Sequence, residues 1–252
     1  MNRSVPFAWS EEKSWYRLGV VEISGWFHED DALLIKAIDG WQKELLVSGN
    51  ILELGIWEGK SLVFLASLAV KGETLLGIDW FSGPGGETRL SSLRANIKRA
   101  QLSNVRILKG DTRALVNTAL SAQLRRSFRL VHIDAGHEHN DVLQDLEASS
   151  RLLGDPRSVI VLDDVPVRYF PGCWSGMAQW ILSHGNEFRP FLFSSSKAYL
   201  CRKEFIPDLL LHLESLIKPE DLAYREVFDS TVIVHKGRPR KRSESYEEVF
   251  ST

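Results

Sequence analysis

Two cysteines, Cys173 and Cys201, are too few for a disulfide-stapled scaffold in a chain of 252 residues. No apolar run reaches the length needed to cross a bilayer. The start, Met1 to Phe7, has no signal-peptide core and meets charge at Glu11. A reducing cytoplasm is therefore the expected compartment. Charge of one sign is also missing. The formal net charge is −2, so there is no global pull toward nucleic acid or an anionic membrane. There is no internal repeat and no linker that would split the chain. The spacing G-x-G-x-x-G, which lays a dinucleotide pyrophosphate on a helix N-terminus, is absent too, which disfavours a nicotinamide dehydrogenase.

What is present begins with Gly49-Asn50-Ile51-Leu52-Glu53-Leu54-Gly55-Ile56-Trp57-Glu58-Gly59-Lys60-Ser61. Ile51 to Leu54 is a short apolar run broken at Gly55, and Ser61 to Val70 is apolar at helical spacing. This predicts a buried strand, a glycine turn and a helix. Glycines in the turn permit a sharp bend and a close-lying ligand, and the free amides of the helix start face that ligand. The acid before the first glycine would repel phosphates and suits a cationic ligand.

Further along, strands are predicted at 74–79, 105–108, 128–134 and 158–162, alternating with helices near 87–100, 112–124 and 140–153. Such alternation argues a parallel sheet covered on both faces. An earlier helix is expected from Asp30, capped by Asp30 or Asp31, with Leu33, Leu34, Ala37, Ile38 and Trp41 on one face. Residues 188–193 and 198–201 read as a β-hairpin, 207–217 as an amphipathic helix and 231–235 as one more possible strand. Val165 to Met177 reads as a substrate-side loop with aromatic walls. Lys236 to Ser243 reads as a solvated basic tail.

Successive strands end in Glu53, Asp79, Asp111, Asp134 and Asp163-Asp164. Ligands of open α/β sheets sit at the carboxyl ends of the strands. A single acid there is often a helix cap, but a series along one edge asks for another explanation. Asp134, Asp163 and Asp164 would repel one another in a dry cleft, and a hard divalent cation such as Mg²⁺ would relieve this.

The ordered set Glu53 to Ser61, Gly77-Ile78-Asp79, Leu108 to Asp111, His132 to His137, Val161 to Val165, Phe170-Pro171-Gly172 and Lys197 to Cys201 resembles the class I S-adenosylmethionine-dependent methyltransferases. The likeness runs from about residue 25 to 201. It is closest to the macrocin-type small-molecule O-methyltransferases, and more distant from the catechol and caffeoyl-CoA types. The resemblance implies a Rossmann-like three-layer α/β sandwich, with a mostly parallel seven-stranded sheet and a C-terminal β-hairpin. It implies an arm and helix over 1–45 covering the site, a methyltransferase domain over 46–205, and a C-terminal helix, strand and tail over 206–252 in the same globule.

The same resemblance implies S-adenosyl-L-methionine as cofactor. Glu53 and the Gly55 backbone would hold its amino acid end, beside Trp57, Gly59, Ser61 and Asp134. Asp79 would take the ribose hydroxyls, Trp80 the adenine face and Asp111 the adenine amino group. Asp134, Asp163 and Asp164 would hold Mg²⁺. His137, mostly neutral at its ordinary pKa, would take the proton of an acceptor hydroxyl. The expected partner is a small hydroxylated acceptor, with no nucleic acid and no membrane. A homo-oligomer or a larger biosynthetic assembly is compatible. The rival readings are a metal-independent methyltransferase with His137 as sole base, and a non-catalytic methyltransferase-like module.

Overall fold

The computed structural model describes residues 20–112, 124, 126–185 and 187–237. Trp9, Trp15, Tyr16, most of the helix expected over 112–124 and the basic residues from 238 onward lie outside the described residues.

Each of the strands that carry the site is a short apolar run flanked by parallel neighbours. These are β1 (Asn50–Leu54), β2 (Leu75–Asp79), β3 (Val105–Lys109), β4 (Phe128–Ile133) and β5 (Val159–Asp163). The central ones are buried on both faces, so they read as continuous apolar segments. Alternate residues enter different cores. Ile51 packs in the layer with α1 (Glu29–Glu44), α2 (Lys60–Leu68) and α6 (Ile206–Leu216). Leu52 and Leu54 pack in the layer with α4 (His139–Leu152) and α5 (Pro171–His184). The result is the three-layer sandwich that the sequence predicts.

The strand order is β3-β2-β1-β4-β5-β7-β6-β9-β8. β1 and β4 are parallel, but successive strands are added on opposite sides of this pair, and that switch point opens a crevice at the strands' carboxyl ends. Among the described residues the sheet has nine strands rather than the expected seven. Beyond the hairpin β6 (Phe188–Phe193) and β7 (Lys197–Arg202), a second hairpin adds β8 (Leu222–Val227) and β9 (Ser230–His235), with β9 parallel to β6. β8 is an edge strand with exposed Tyr224, Arg225 and Glu226, so its apolar signal is weak. Its turn uses Phe228 and Asp229, both left-handed at φ 52° and 56°. This is the backbone of a tight hairpin without the Asn-Gly or Asp-Gly pair that announces one.

Two other local expectations are corrected. Neither Asp30 nor Asp31 caps α1; His28 holds that position without a side-chain bond. Asp31 is buried and accepts hydrogen bonds from the hydroxyls of Ser194, Ser196 and Tyr199. The expected loop over 165–177 ends at Pro171, the first residue of α5. Gly172 and Gly176 lie against the start of α4, where an added Cβ would come within 2.3 Å of the His137 carbonyl and 2.7 Å of the His139 carbonyl. A glycine pair that reads as a breaker is here a close helix contact.

Buried Arg129 locks β4 to α1 and to the chain before β2. Its fork meets both Glu73 oxygens at 2.9 and 3.0 Å, and one arm reaches Gln42 Oε1 and Asp39 Oδ1, each at 2.9 Å. Burial pushes the Glu73 carboxyl up, but the Arg129 fork and the Val70 amide outweigh it and hold the pKa below its ordinary 4.5. A carboxylate depressed in the folded state stabilises above its unfolded pKa and loses that contribution as pH falls through the folded value. Glu73→Gln is therefore expected to lower the melting temperature at pH 7. Thermal scans between pH 7 and pH 3 should show the gap to the wild type closing on the acid side of the ordinary value.

Candidate functional site

The glycine turn forms because β1 must leave the sheet beside β4 with no room for a side chain. Gly55 is left-handed at φ 80°, and an added Cβ would lie 1.8 Å from the Asp134 carbonyl oxygen. Trp57 is left-handed at φ 52° and Gly59 at φ 88°, the latter just ahead of α2. Asp79 clamps this turn. Its Oδ2 accepts the amides of Ile56 and Trp57 at 2.8 and 3.0 Å, and its Oδ1 accepts that of Phe81 at 2.8 Å. A carboxylate has about four acceptor directions, so roughly one remains for a ligand.

The turn is one wall of a cavity of about 550 Å³. Gly55, Trp57 and Ser61 line it with Asp79 and Trp80 from the end of β2, and Asp111 follows β3. Asp134 and His137 follow β4, and Asp163-Asp164 end β5. Ser24 to Phe27 contribute a further wall, tethered by Lys60 Nζ, which donates to the Gly25 carbonyl at 2.8 Å. Trp57 and Trp80 are half-exposed, and the Arg89 guanidinium sits 4.7 Å from the Trp57 ring centroid. Phe170 also lines the cavity, its ring 4.3 Å from that of His137. Sequence reasoning did not assign Lys60 or Asp141 to the site, whereas Ser24 to Phe27 belong to the arm expected to cover it. Lys60 and Asp141 sit in the first turns of α2 and α4, where no local pattern marks them as site residues.

Two expected site residues are not on the cavity wall. Gly59 packs against Leu93, where an added Cβ would come within 2.4 Å of its Cδ1. Its part is to shape the turn. Glu53 lies under the floor, fully buried, with Oε1 2.9 Å from His132 Nδ1. Burial raises the Glu53 carboxyl well above its ordinary value, against a smaller pull from the Ser61 hydroxyl, and the nearby Asp134 charge adds to the rise. Burial, then the Lys197 charge, pushes the His132 imidazole well below 6.5. Burial thus favours the uncharged form of each partner.

The acids do converge, but in a different set from the one expected. Asp134, His137 and Asp164 offer ligand atoms that lie within 4.8 Å of one another. His137 Nε2 is 3.2 Å from Asp164 Oδ2 and 3.8 Å from Asp134 Oδ1. It is buried and has no partner in hydrogen-bond geometry. Burial would lower the His137 pKa, but the close approach of Asp134 and Asp164, and their charges, raise it to about 10. Between bare carboxylates His137 is thus an imidazolium, not the neutral base expected. Asp163 stands behind the cluster, paired with buried Lys197, its Oδ1 accepting the Asp164 amide at 2.8 Å.

A divalent cation fits this cluster chemically: two carboxylates converge on an imidazole nitrogen that makes no well-formed hydrogen bond. S-adenosylmethionine fits the turn, where the missing Cβ of Gly55, the half-exposed Trp80 ring and the Asp79 and Asp111 carboxylates border one space. Cys173 and Cys201 are buried with thiol pKa values pushed up by burial, so neither is an activated nucleophile.

Comparison with known proteins agrees with this geometry. Residues 52–165, somewhat under half of the chain, match the sequence profile of a family described as a methyltransferase domain. No curated protein matches by sequence. Among solved structures, the O-methyltransferase NovP superposes with a TM-score of 0.55 at 15% identity, covering 68% of this chain and 79% of that one. Cofactor-bound Rv0187 from MTB gives 0.54 at 16% identity, covering 76% and 88%. The O-methyltransferase from Bacillus cereus in complex with SAH gives 0.50 at 17% identity, covering 78% and 91%. The matched segment is similar to a methyltransferase domain, and the superpositions show that the chain shares the fold of these proteins. Among the described residues, no helix is long and apolar enough to cross a membrane.

Proposed function

We propose that this chain transfers a methyl group from S-adenosylmethionine to a hydroxyl of a small-molecule acceptor, beside a divalent ion held by Asp134, His137 and Asp164. The observation that carries the reading is that the glycine turn and this cluster share one cavity, joined by Asp134 itself. When bound, the donor supplies an electrophilic methyl group and the ion a Lewis acid that favours the deprotonated hydroxyl. The chain does the rest. Asp79 sets the turn, Trp80 offers a flat apolar face, and Asp111 offers an acceptor. Phe170 and Trp26 provide apolar walls on which a sugar or aromatic acceptor can lie. Fixing both reactants in one cavity is a large share of what such a site can contribute.

The expected Mg²⁺ assumed an all-oxygen set. An imidazole among the donors widens the choice to Mn²⁺, Fe²⁺, Co²⁺ or Zn²⁺. The reading with His137 as sole base is disfavoured by its position as an imidazolium between two carboxylates.

Calorimetry with SAH and a Mn²⁺ titration read by electron spin resonance test both halves without knowledge of the acceptor. Asp134→Asn and Asp164→Asn are each expected to weaken Mn²⁺ binding by about 10-fold or more. Trp80→Ala should weaken SAH by roughly 3- to 10-fold, the worth of one aromatic face, and leave Mn²⁺ affinity alone. A wild-type protein that takes up no SAH sinks the methyltransferase reading. Methyl transfer to hydroxylated acceptors that survives EDTA undiminished removes the ion from it.

A further inference from the structure

A buried ion pair stands directly behind the acidic cluster. Lys197 is fully buried in β7, opposite Asp163 in the antiparallel register with β5, and its ammonium meets Asp163 Oδ2. Burial favours the neutral amine, but the carboxylates of Asp163 and Asp31 outweigh it and keep the lysine charged. The face of Phe27 closes another side, its centroid 5.4 Å from Nζ. A buried ion pair is a weak device for stability, because desolvation offsets the attraction. The location of this one suggests a different use.

The second Asp163 oxygen accepts the amide of Asp164 at 2.8 Å. Asp164 is left-handed at φ 61°, a conformation that a residue other than glycine adopts only when its surroundings hold it there. In that conformation its carboxylate meets His137 at 3.2 Å. Both Asp163 oxygens are therefore engaged, one by an ammonium and one by a peptide N–H. Neither belongs to the three-residue cluster.

We propose that Asp163 is a positioning residue for the ion site, with Lys197 as the counter-charge that lets its carboxylate stay buried. The ammonium compensates one Asp163 oxygen, and the other holds the left-handed peptide that aims Asp164. The proposal rests on the ion-binding reading above and deepens it. It also departs from the sequence expectation of Asp163 as a ligand, and the two give opposite results.

The test replaces the whole ion pair, so that no lone charge is left buried. Asp163→Asn with Lys197→Met keeps an acceptor oxygen for the Asp164 amide; Asp163→Leu with Lys197→Met removes it. Mn²⁺ affinity, SAH affinity and melting temperature are read on the full chain. The Asn double variant should bind Mn²⁺ within about threefold of the wild type, while the Leu double variant should lose about 10- to 100-fold, the usual range for residues that orient ligands. SAH affinity should stay level in both, which a general loss of structure would not allow. Equal Mn²⁺ affinity in the two double variants, intact or lost, overturns the positioning role while leaving the ion site standing. A wild-type protein with no Mn²⁺ affinity overturns the ion site and this inference with it.

Discussion

Gly55→Ala is expected to abolish methyl transfer and SAH binding. The added Cβ would sit 1.8 Å from the Asp134 carbonyl oxygen, 2.4 Å from its carbonyl carbon and 2.8 Å from the Ala135 Cα. All of these are backbone atoms, so no side chain can swing aside. Relief requires the turn and the end of β4 to part by roughly 1 Å, and a misplacement of that size costs about 100-fold in a positioned reaction. The residue would also be held at φ 80°, which adds about 1 kcal/mol or more of strain. Because Asp134 belongs to both the turn contact and the cluster, Mn²⁺ affinity should fall with SAH affinity. Calorimetry of the purified variant, with circular dichroism as a check on the fold, reads the outcome. A variant that binds SAH as the wild type does would mean that the turn is not the donor's seat.

Arg129→Met is expected to carry the largest loss of stability of any single change considered, about 3–5 kcal/mol. The guanidinium is fully buried and serves Glu73, Asp39 and Gln42 at once. Removing it leaves buried Glu73 without its cation and buried Asp39 with Lys43 alone. For a domain of this size that corresponds to a fall in melting temperature of roughly 10 °C. Its reach into the site is indirect. Arg129 sits near the start of β4, which carries His132, and Asp134 and His137 follow that strand's end. Scanning calorimetry settles the point, and a change below about 1 kcal/mol would show that the ion pairs merely offset their own desolvation.

Much of the fold is legible in the residues because the central strands are buried on both faces. Ile51 to Leu54, Leu130 to Ile133 and Val159 to Leu162 are nearly unbroken apolar runs, and only a covered parallel sheet uses such runs. The amphipathic α4, with Val142 and Leu146 inward, is read within a residue of its ends. What escaped notice lies where local and tertiary signals part. β8 has an edge strand's exposure, its turn uses Phe228-Asp229, and the Pro171-Gly172 start of α5 reads as a break until α4 is seen against it.

The site divides along the same line. Residue type and order along the chain were enough to put Gly55, Asp79, Trp80, Asp111, Asp134 and Asp164 at one rim, since strand polarity in a parallel sheet gathers all the carboxyl ends on one edge. Only the tertiary structure decided which acids are engaged by a buried partner. Glu53 is turned under the floor to His132, Asp163 is turned back to Lys197, and His137 stands in the place foreseen for a third carboxylate. The reason is physical: a charge at a strand end can point to solvent or into the interior, and the choice depends on whether a partner from a distant strand is there to compensate it. His132, Lys197 and the left-handed peptide of Asp164 are such partners, brought in by strand pairing that no stretch of sequence displays by itself.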